Sequence, residues 1–197
     1  MGRKRQSPQS RIIKAAWNLF YKNGYEGTTI NDIIAASKTS KGTFYHYFKG
    51  KDALLNTLAY LLDDKYEELT QTMDPDLSAS DKLLFLNHEL FYMIETSIDL
   101  RLLALLYSSQ LTTRDTKSLL DKDRYYFTLI TQIIAEGKEN GEFPESNSIS
   151  DLVKLYTMYE RSILYDWALC KGDYSLTEYS DRLLPHVLDK FKDNIQL

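Results

Sequence analysis

Residues 29–48 read Thr29-Ile30-Asn31-Asp32-Ile33-Ile34-Ala35-Ala36-Ser37-Lys38-Thr39-Ser40-Lys41-Gly42-Thr43-Phe44-Tyr45-His46-Tyr47-Phe48, and this stretch decides the fold. Thr29, followed three residues later by Asp32, opens a short helix as a capping box does: each side chain can satisfy an amide the first turn leaves without a partner. Ile30, Ile33 and Ile34 then recur at helical spacing. Ser40 caps a second short segment, 41–47, and only Ser37-Lys38-Thr39 separates the two. Two short helices joined by three or four residues is the helix-turn-helix layout. The first helix braces the second, whose exposed face enters the DNA major groove, a groove wide enough for one α-helix.

Spacing assigns the faces. Phe44 and Phe48 lie one helical turn apart and anchor the recognition helix to the helices before it. Lys41, Gly42, Tyr45 and His46 then point outward. Lys41 supplies charge and Tyr45 a hydroxyl for a phosphate. Gly42 has no Cβ, so the backbone can approach DNA closely. Lys51 opens the next helix, where an ammonium and a helix N-terminus together suit a phosphate. Thr29 can cap its helix while neighbouring amides face another phosphate. Packed aromatics are the other reading of Tyr45, His46 and Tyr47, and for His46 the sequence does not choose between phosphate and base.

Outward from this stretch, every long segment reads as helix. Ser7-Pro8 starts one that stops at Asn23-Gly24. Beyond the helix-turn-helix, further helices are expected at about 51–73, 78–97, 99–110, 115–140, 148–171 and 175–195. That makes nine, four in the head and five in the body, with Pro185 expected to kink or open the last. Strand-type alternation is absent, so the fold class is all-α.

Charge divides the chain unevenly. Residues 1–51 carry ten Lys/Arg against Glu26 and Asp32, a net +8, while the remaining 14 Lys/Arg face 26 Asp/Glu, a net −12. A basic head on an acidic body suits a polyanionic partner for the head alone. One cysteine, Cys170, excludes an internal disulfide framework and fits a reducing cytosol. No uncharged apolar run reaches 18 residues, and the basic start Arg3-Lys4-Arg5 is followed by polar residues rather than a leader's apolar core. A cytoplasmic protein is expected. Gly-rich phosphate loops, zinc-type Cys/His spacing and a nucleophile–base pair are missing from the sequence, so neither enzyme nor metal or cofactor binder is expected.

The block Ser40–Leu54, with Gly24–Ile33 before it, resembles the DNA-binding signature of TetR-family transcriptional regulators over about residues 10–60. The resemblance implies a three-helix DNA-binding domain, 1–50, and a helical ligand-binding and dimerisation domain, 51–197. It places DNA contacts at Thr29, Ser40, Lys41, Gly42, Tyr45, His46, Tyr47 and Lys51, with Thr43 among them in the recognition helix. One departure concerns the turn, often Ala-Gly-Val-Ser in the family and Ser37-Lys38-Thr39-Ser40 here. A left-handed Lys38 would cost about 1 kcal/mol relative to glycine.

For the body the resemblance implies a homodimer through the last two helices, with Leu155, Ile163, Trp167, Leu184, Leu188 and Phe191 as interface residues. The same faces could instead close the monomer core. It also implies a pocket in the middle helices for a small aromatic or amphipathic organic effector, with His88, Tyr92, Tyr107, Tyr126 and Tyr159 as candidate contacts. The function implied is a repressor on a palindromic operator, released by that effector. The alternative is a protein-interaction regulator, a coactivator or division-associated DNA binder, on the same scaffold without a small-molecule effector.

Overall fold

The computed structural model describes residues 7–112 and 117–193, and every regular element among them is helical. The basic residues Arg3, Lys4 and Arg5, and the expected helix limits at Asp115 and Ile195, lie outside the described residues. The helices are α1 (Pro8–Asn23), α2 (Ile30–Ser37), α3 (Lys41–Tyr47), α4 (Asp52–Leu55), α5 (Leu58–Thr72), α6 (Ala79–Ser97), α7 (Leu100–Thr112), α8 (Tyr125–Glu139), α9 (Ile149–Leu169) and α10 (Leu176–Phe191). The expected helix over 51–73 is interrupted after Leu55. There the Thr57 amide and hydroxyl both donate to the Leu54 carbonyl, and the hydroxyl also accepts from Trp17 Nε1 at 2.8 Å. With α4 and α5 taken as one interrupted helix, the described residues hold nine.

The other correction concerns the helix expected from Asp115. Helix α8 begins only at Tyr125, after a 3-10 turn at Ser118–Leu120. Asp121 explains the delay. Its carboxylate accepts from the Asp123 amide at 3.1 Å and its carbonyl from the Arg124 amide at 3.3 Å, a local turn that competes with helix. At the other end, α10 runs unbroken through Pro185.

Two compact units result. One is Met1–Ala59 with Leu105–Ser118; the other is Tyr60–Ala104 with Leu119–Leu197. The first takes in a later part of the chain: Gln110, in α7, donates through Nε2 to Asn56 Oδ1 at 2.7 Å. Its core includes Ile12, Ala16, Phe20, Ile33 and Phe44, fully buried on α1, α2 and α3, which pack on one another, and Leu54 of α4, which is also fully buried.

In the second unit, α6 and α9 each pack against both α8 and α10. Close approach of α6 to α8 depends on Gly137, where a Cβ would stand 2.7 Å from that of Ala79 and 2.5 Å from the Phe143 ring. All four helices meet in one buried polar network. Glu160 accepts from Asn87 Nδ2 at 2.9 Å and from the Tyr126 hydroxyl; Ser180 Oγ donates to Asn87 Oδ1 at 2.6 Å. Burial raises the Glu160 carboxyl above its ordinary value of 4.5, and the hydrogen bonds from Tyr126, Asn87 and Tyr156 offset only part of that rise.

Candidate DNA interface and body groove

The helix-turn-helix is built by its caps. Thr29 Oγ1 accepts from the Asp32 amide at 3.2 Å, and Asp32 Oδ2 accepts from the Thr29 amide at 2.9 Å, a complete capping box worth about 1 kcal/mol. The Thr29 hydroxyl, 2.7 Å from Asp32 Oδ2, and the Thr29 amide both donate to the Asp32 carboxyl and hold it below its ordinary value. Ser40 Oγ accepts from the Thr43 amide at 3.0 Å and pairs with the Thr43 hydroxyl at 2.8 Å. Between the caps, Lys38 is left-handed, with φ 52° and ψ 46°, and its amide bonds back to Ala35. A lysine thus fills the position where the family often has glycine, and Arg11 Nη1 reaches its carbonyl at 3.4 Å.

Helix α3 sorts its residues as its spacing predicts. Phe44 and Phe48 are buried, with ring centroids 5.9 Å apart, while Lys41, Gly42, Tyr45, His46 and Tyr47 are exposed and Thr43 is intermediate. Tyr45 is 48% exposed although its ring edges onto Phe44. Gly42 has no internal reason to be glycine: a Cβ there would meet only Ser40 Oγ, at 3.8 Å. Glycine inside a helix costs about 1 kcal/mol relative to alanine, so the choice looks outward, to whatever approaches the backbone.

Lys51 sits differently from the other expected contacts. Its Nζ donates to the Tyr25 carbonyl at 2.7 Å and the Thr28 carbonyl at 3.1 Å, and lies 4.1 Å from the centroid of the Tyr25 ring. Tyr25 in turn donates its hydroxyl to Asp52, and burial and that carboxylate push its pKa up. Two of the three ammonium donors therefore staple the 25–28 turn, just before Thr29, to the start of α4. Sequence spacing alone gives no sign of this internal role.

The body residues do not gather as expected. His88 is exposed and pairs with Asp181 at 2.9 Å; Tyr92 is 56% exposed; Tyr126 is buried on Glu160; Tyr159 is half-buried, its hydroxyl 3.1 Å from Ser180 Oγ. Tyr107 belongs to the other unit. None of the five lines the groove of about 970 Å³ that runs between α8 and α9. Its walls are Phe127, Thr131, Ile149, Val153 and Met158, with Lys122, Lys154 and Arg161 as its cations.

Four of the six expected interface residues need correction. Trp167, Leu184, Leu188 and Phe191 are at most 5% exposed within one chain, so they belong to its own core and offer no surface to a partner. Leu155 and Ile163 are half-buried. The exposed apolar side of α9 is instead Met158, Tyr165 and Leu169, with exposures of 49%, 44% and 62%. With Leu155 they follow one another at spacings of three, seven and four, which places them on one stripe of the helix.

A helix-turn-helix with two buried phenylalanines behind an exposed, basic and aromatic face defines a DNA-binding regulator. Residues 12–58 match the family described as bacterial regulatory proteins, tetR family. It is 27% identical over 137 residues to the HTH-type transcriptional regulator QacR of Staphylococcus aureus, covering 68% of this chain and 73% of that one. It is 22% identical over 178 residues to the fatty acid metabolism regulator protein of Bacillus subtilis, covering 88% and 90%. The fold is that of FadR from Bacillus subtilis in complex with stearoyl-CoA, with a TM-score of 0.62 at 20% identity over 95% of this chain and all of the other. FadR from Thermus thermophilus in complex with lauroyl-CoA gives 0.69 at 21% identity, covering 96% and 95%.

Proposed function

We propose that this TetR-family regulator is a repressor that binds a palindromic operator as a homodimer and is released by a small amphipathic organic effector. Residues 1–50 are the DNA-binding domain and 51–197 the ligand-binding and dimerisation domain in this reading. The observation that carries it is α3, whose Lys41, Gly42, Tyr45 and His46 are exposed over buried Phe44 and Phe48. Thr29, Ser40, Thr43, Tyr47 and Lys51 contribute phosphate contacts or position the segments that make them.

One recognition helix reads only a few base pairs, so specific affinity calls for two half-sites about 34–36 Å apart or a multiple of that. Exposed Tyr165 and Leu169 on α9, with half-buried Leu155 on the same stripe and half-buried Leu183 and Val187 on α10, support a second copy as the partner of this face. The acyl-CoA complexes of the two FadR proteins support an effector with an apolar chain and a polar head. The effector acts by binding the DNA-competent and DNA-incompetent conformations with different affinity, and a difference of about 1–3 kcal/mol shifts operator affinity roughly 5–150-fold.

The test is a fluorescence-anisotropy titration of a duplex selected from a randomised library, with sedimentation of the free protein. The reading expects a dimer whose sequence-selective binding weakens with salt. A monomer, or equal affinity for selected and scrambled duplexes, refutes it.

A further inference from the structure

The groove between α8 and α9 carries a second conclusion, which rests on the ligand-responsive reading only for its biological use. The expected tyrosines of this unit do not converge on a cavity: Tyr126 is buried and bonded to Glu160, Tyr159 is half-buried beside Ser180, and Tyr92 is exposed. The groove holds about 970 Å³, the upper end of the range for small-molecule sites. Its charge reverses that of its surroundings. Residues 52–197 carry a net −12, yet the residues lining the groove include Lys122, Lys154 and Arg161 and one carboxylate, Asp151. Cations over an apolar floor concentrate ligands that are both anionic and greasy.

We propose that this groove binds an amphipathic anion, its apolar chain along Phe127, Val153 and Met158 and its anionic head among Lys122, Lys154 and Arg161. The site has a route to the rest of the chain. Leu120 and Lys122, both groove residues, flank Asp121, which accepts the Tyr60 hydroxyl at 2.8 Å. Arg124, three residues on, grips Asp63 with Nη2 at 2.8 Å and Nε at 3.0 Å. The segment that borders the groove therefore holds α5 at two points, and α5 begins at Leu58, within the unit that contains the helix-turn-helix. An occupant that shifts residues 120–124 changes the grip on Tyr60 and Asp63.

Calorimetric titration of the full chain, without DNA, tests the site. The probes are dodecanoate and dodecyl phosphate below their micelle concentrations, with dodecyltrimethylammonium as the cationic control. At least one anion is expected to bind, tenfold or more tighter than the cation; the two headgroups separate a carboxylate site from a phosphate site. The variant Lys122→Glu/Lys154→Glu is expected to lose at least tenfold in anion affinity with its thermal midpoint unchanged. Thr131→Trp, on the exposed side of α8, is expected to block the groove, and hydrogen exchange is expected to slow over 120–132 and 149–161 when the probe binds. Absence of binding, as when a second copy fills the groove, overturns the proposal. So do equal affinities for anion and cation, or wild-type affinity in both variants. DNA release is measured separately: anion binding without release sinks the repressor reading and leaves the site standing.

Discussion

Helix α3 and helices α9–α10 are read from the same kind of apolar pattern, with opposite success. In α3 two phenylalanines one turn apart face inward and everything between them faces out. In α10 the residues expected at a partner's surface, Leu184, Leu188 and Phe191, lie in the chain's own core. A short helix with few apolar residues has one way to bury them. A long helix in a bundle has apolar residues on two sides, and periodicity identifies the sides without saying which neighbour covers each.

The sharpest way to break this contrast is a pair of neighbouring substitutions in α3. Phe44→Ala removes a fully buried ring and is expected to cost about 3–5 kcal/mol in urea unfolding. Tyr45→Ala is expected to leave stability within about 0.5 kcal/mol while weakening DNA binding. Equal loss of stability from both would mean that Tyr45 is a packing residue. In the body, Leu184→Ala is expected to cost about 2–5 kcal/mol. Tyr165→Lys/Leu169→Lys is expected to leave the fold intact and shift sedimentation from dimer to monomer. If the Leu184 variant instead dissociates a stable fold, the proposed interface is wrong.

Glu160 tests the network that joins the four body helices. Its folded-state pKa is raised by burial, so the fold favours the protonated carboxyl. That contribution is fully present below the ordinary value of 4.5 and is lost as pH rises through the higher folded value. Wild type is therefore expected to lose stability against Glu160→Gln as pH rises from 4.5, in thermal scans of both proteins. A pH-independent difference would count against a protonated Glu160. Gly42→Ala should raise stability slightly, by at most about 1 kcal/mol, and weaken operator binding. Unchanged binding would mean that no DNA backbone approaches closely at Gly42.

The head was legible in the sequence because its signals are local. Caps lie three residues from their targets, and the turn length alone announces the motif. Even the left-handed Lys38 follows from where the turn must bend. What escaped was long-range. The bonds of Lys51 to Tyr25 and Thr28 span more than twenty residues, and those of Arg124 to Asp63 span 61. The late start of α8 came from Asp121 bonding its own neighbours, where helical periodicity alone suggested a longer helix. The tyrosines grouped as a pocket were scattered among core, surface and two units, because residue type does not fix a side chain's neighbours. The groove went unread because its cations and apolar residues come from three separate segments.

The central claim is that the exposed face of α3 reads DNA, and the salt dependence of binding tests it most directly. Anisotropy titrations from 50 to 200 mM salt, on wild type and Lys41→Ala/Tyr45→Ala, compare the slopes of log affinity against log salt. The account predicts affinity that falls steeply with salt in wild type, because phosphate contacts release counterions. It predicts in the variant a slope smaller by about one, with lost sequence preference and an unchanged unfolding curve. A folded variant that binds the selected duplex with wild-type affinity and slope would contradict it.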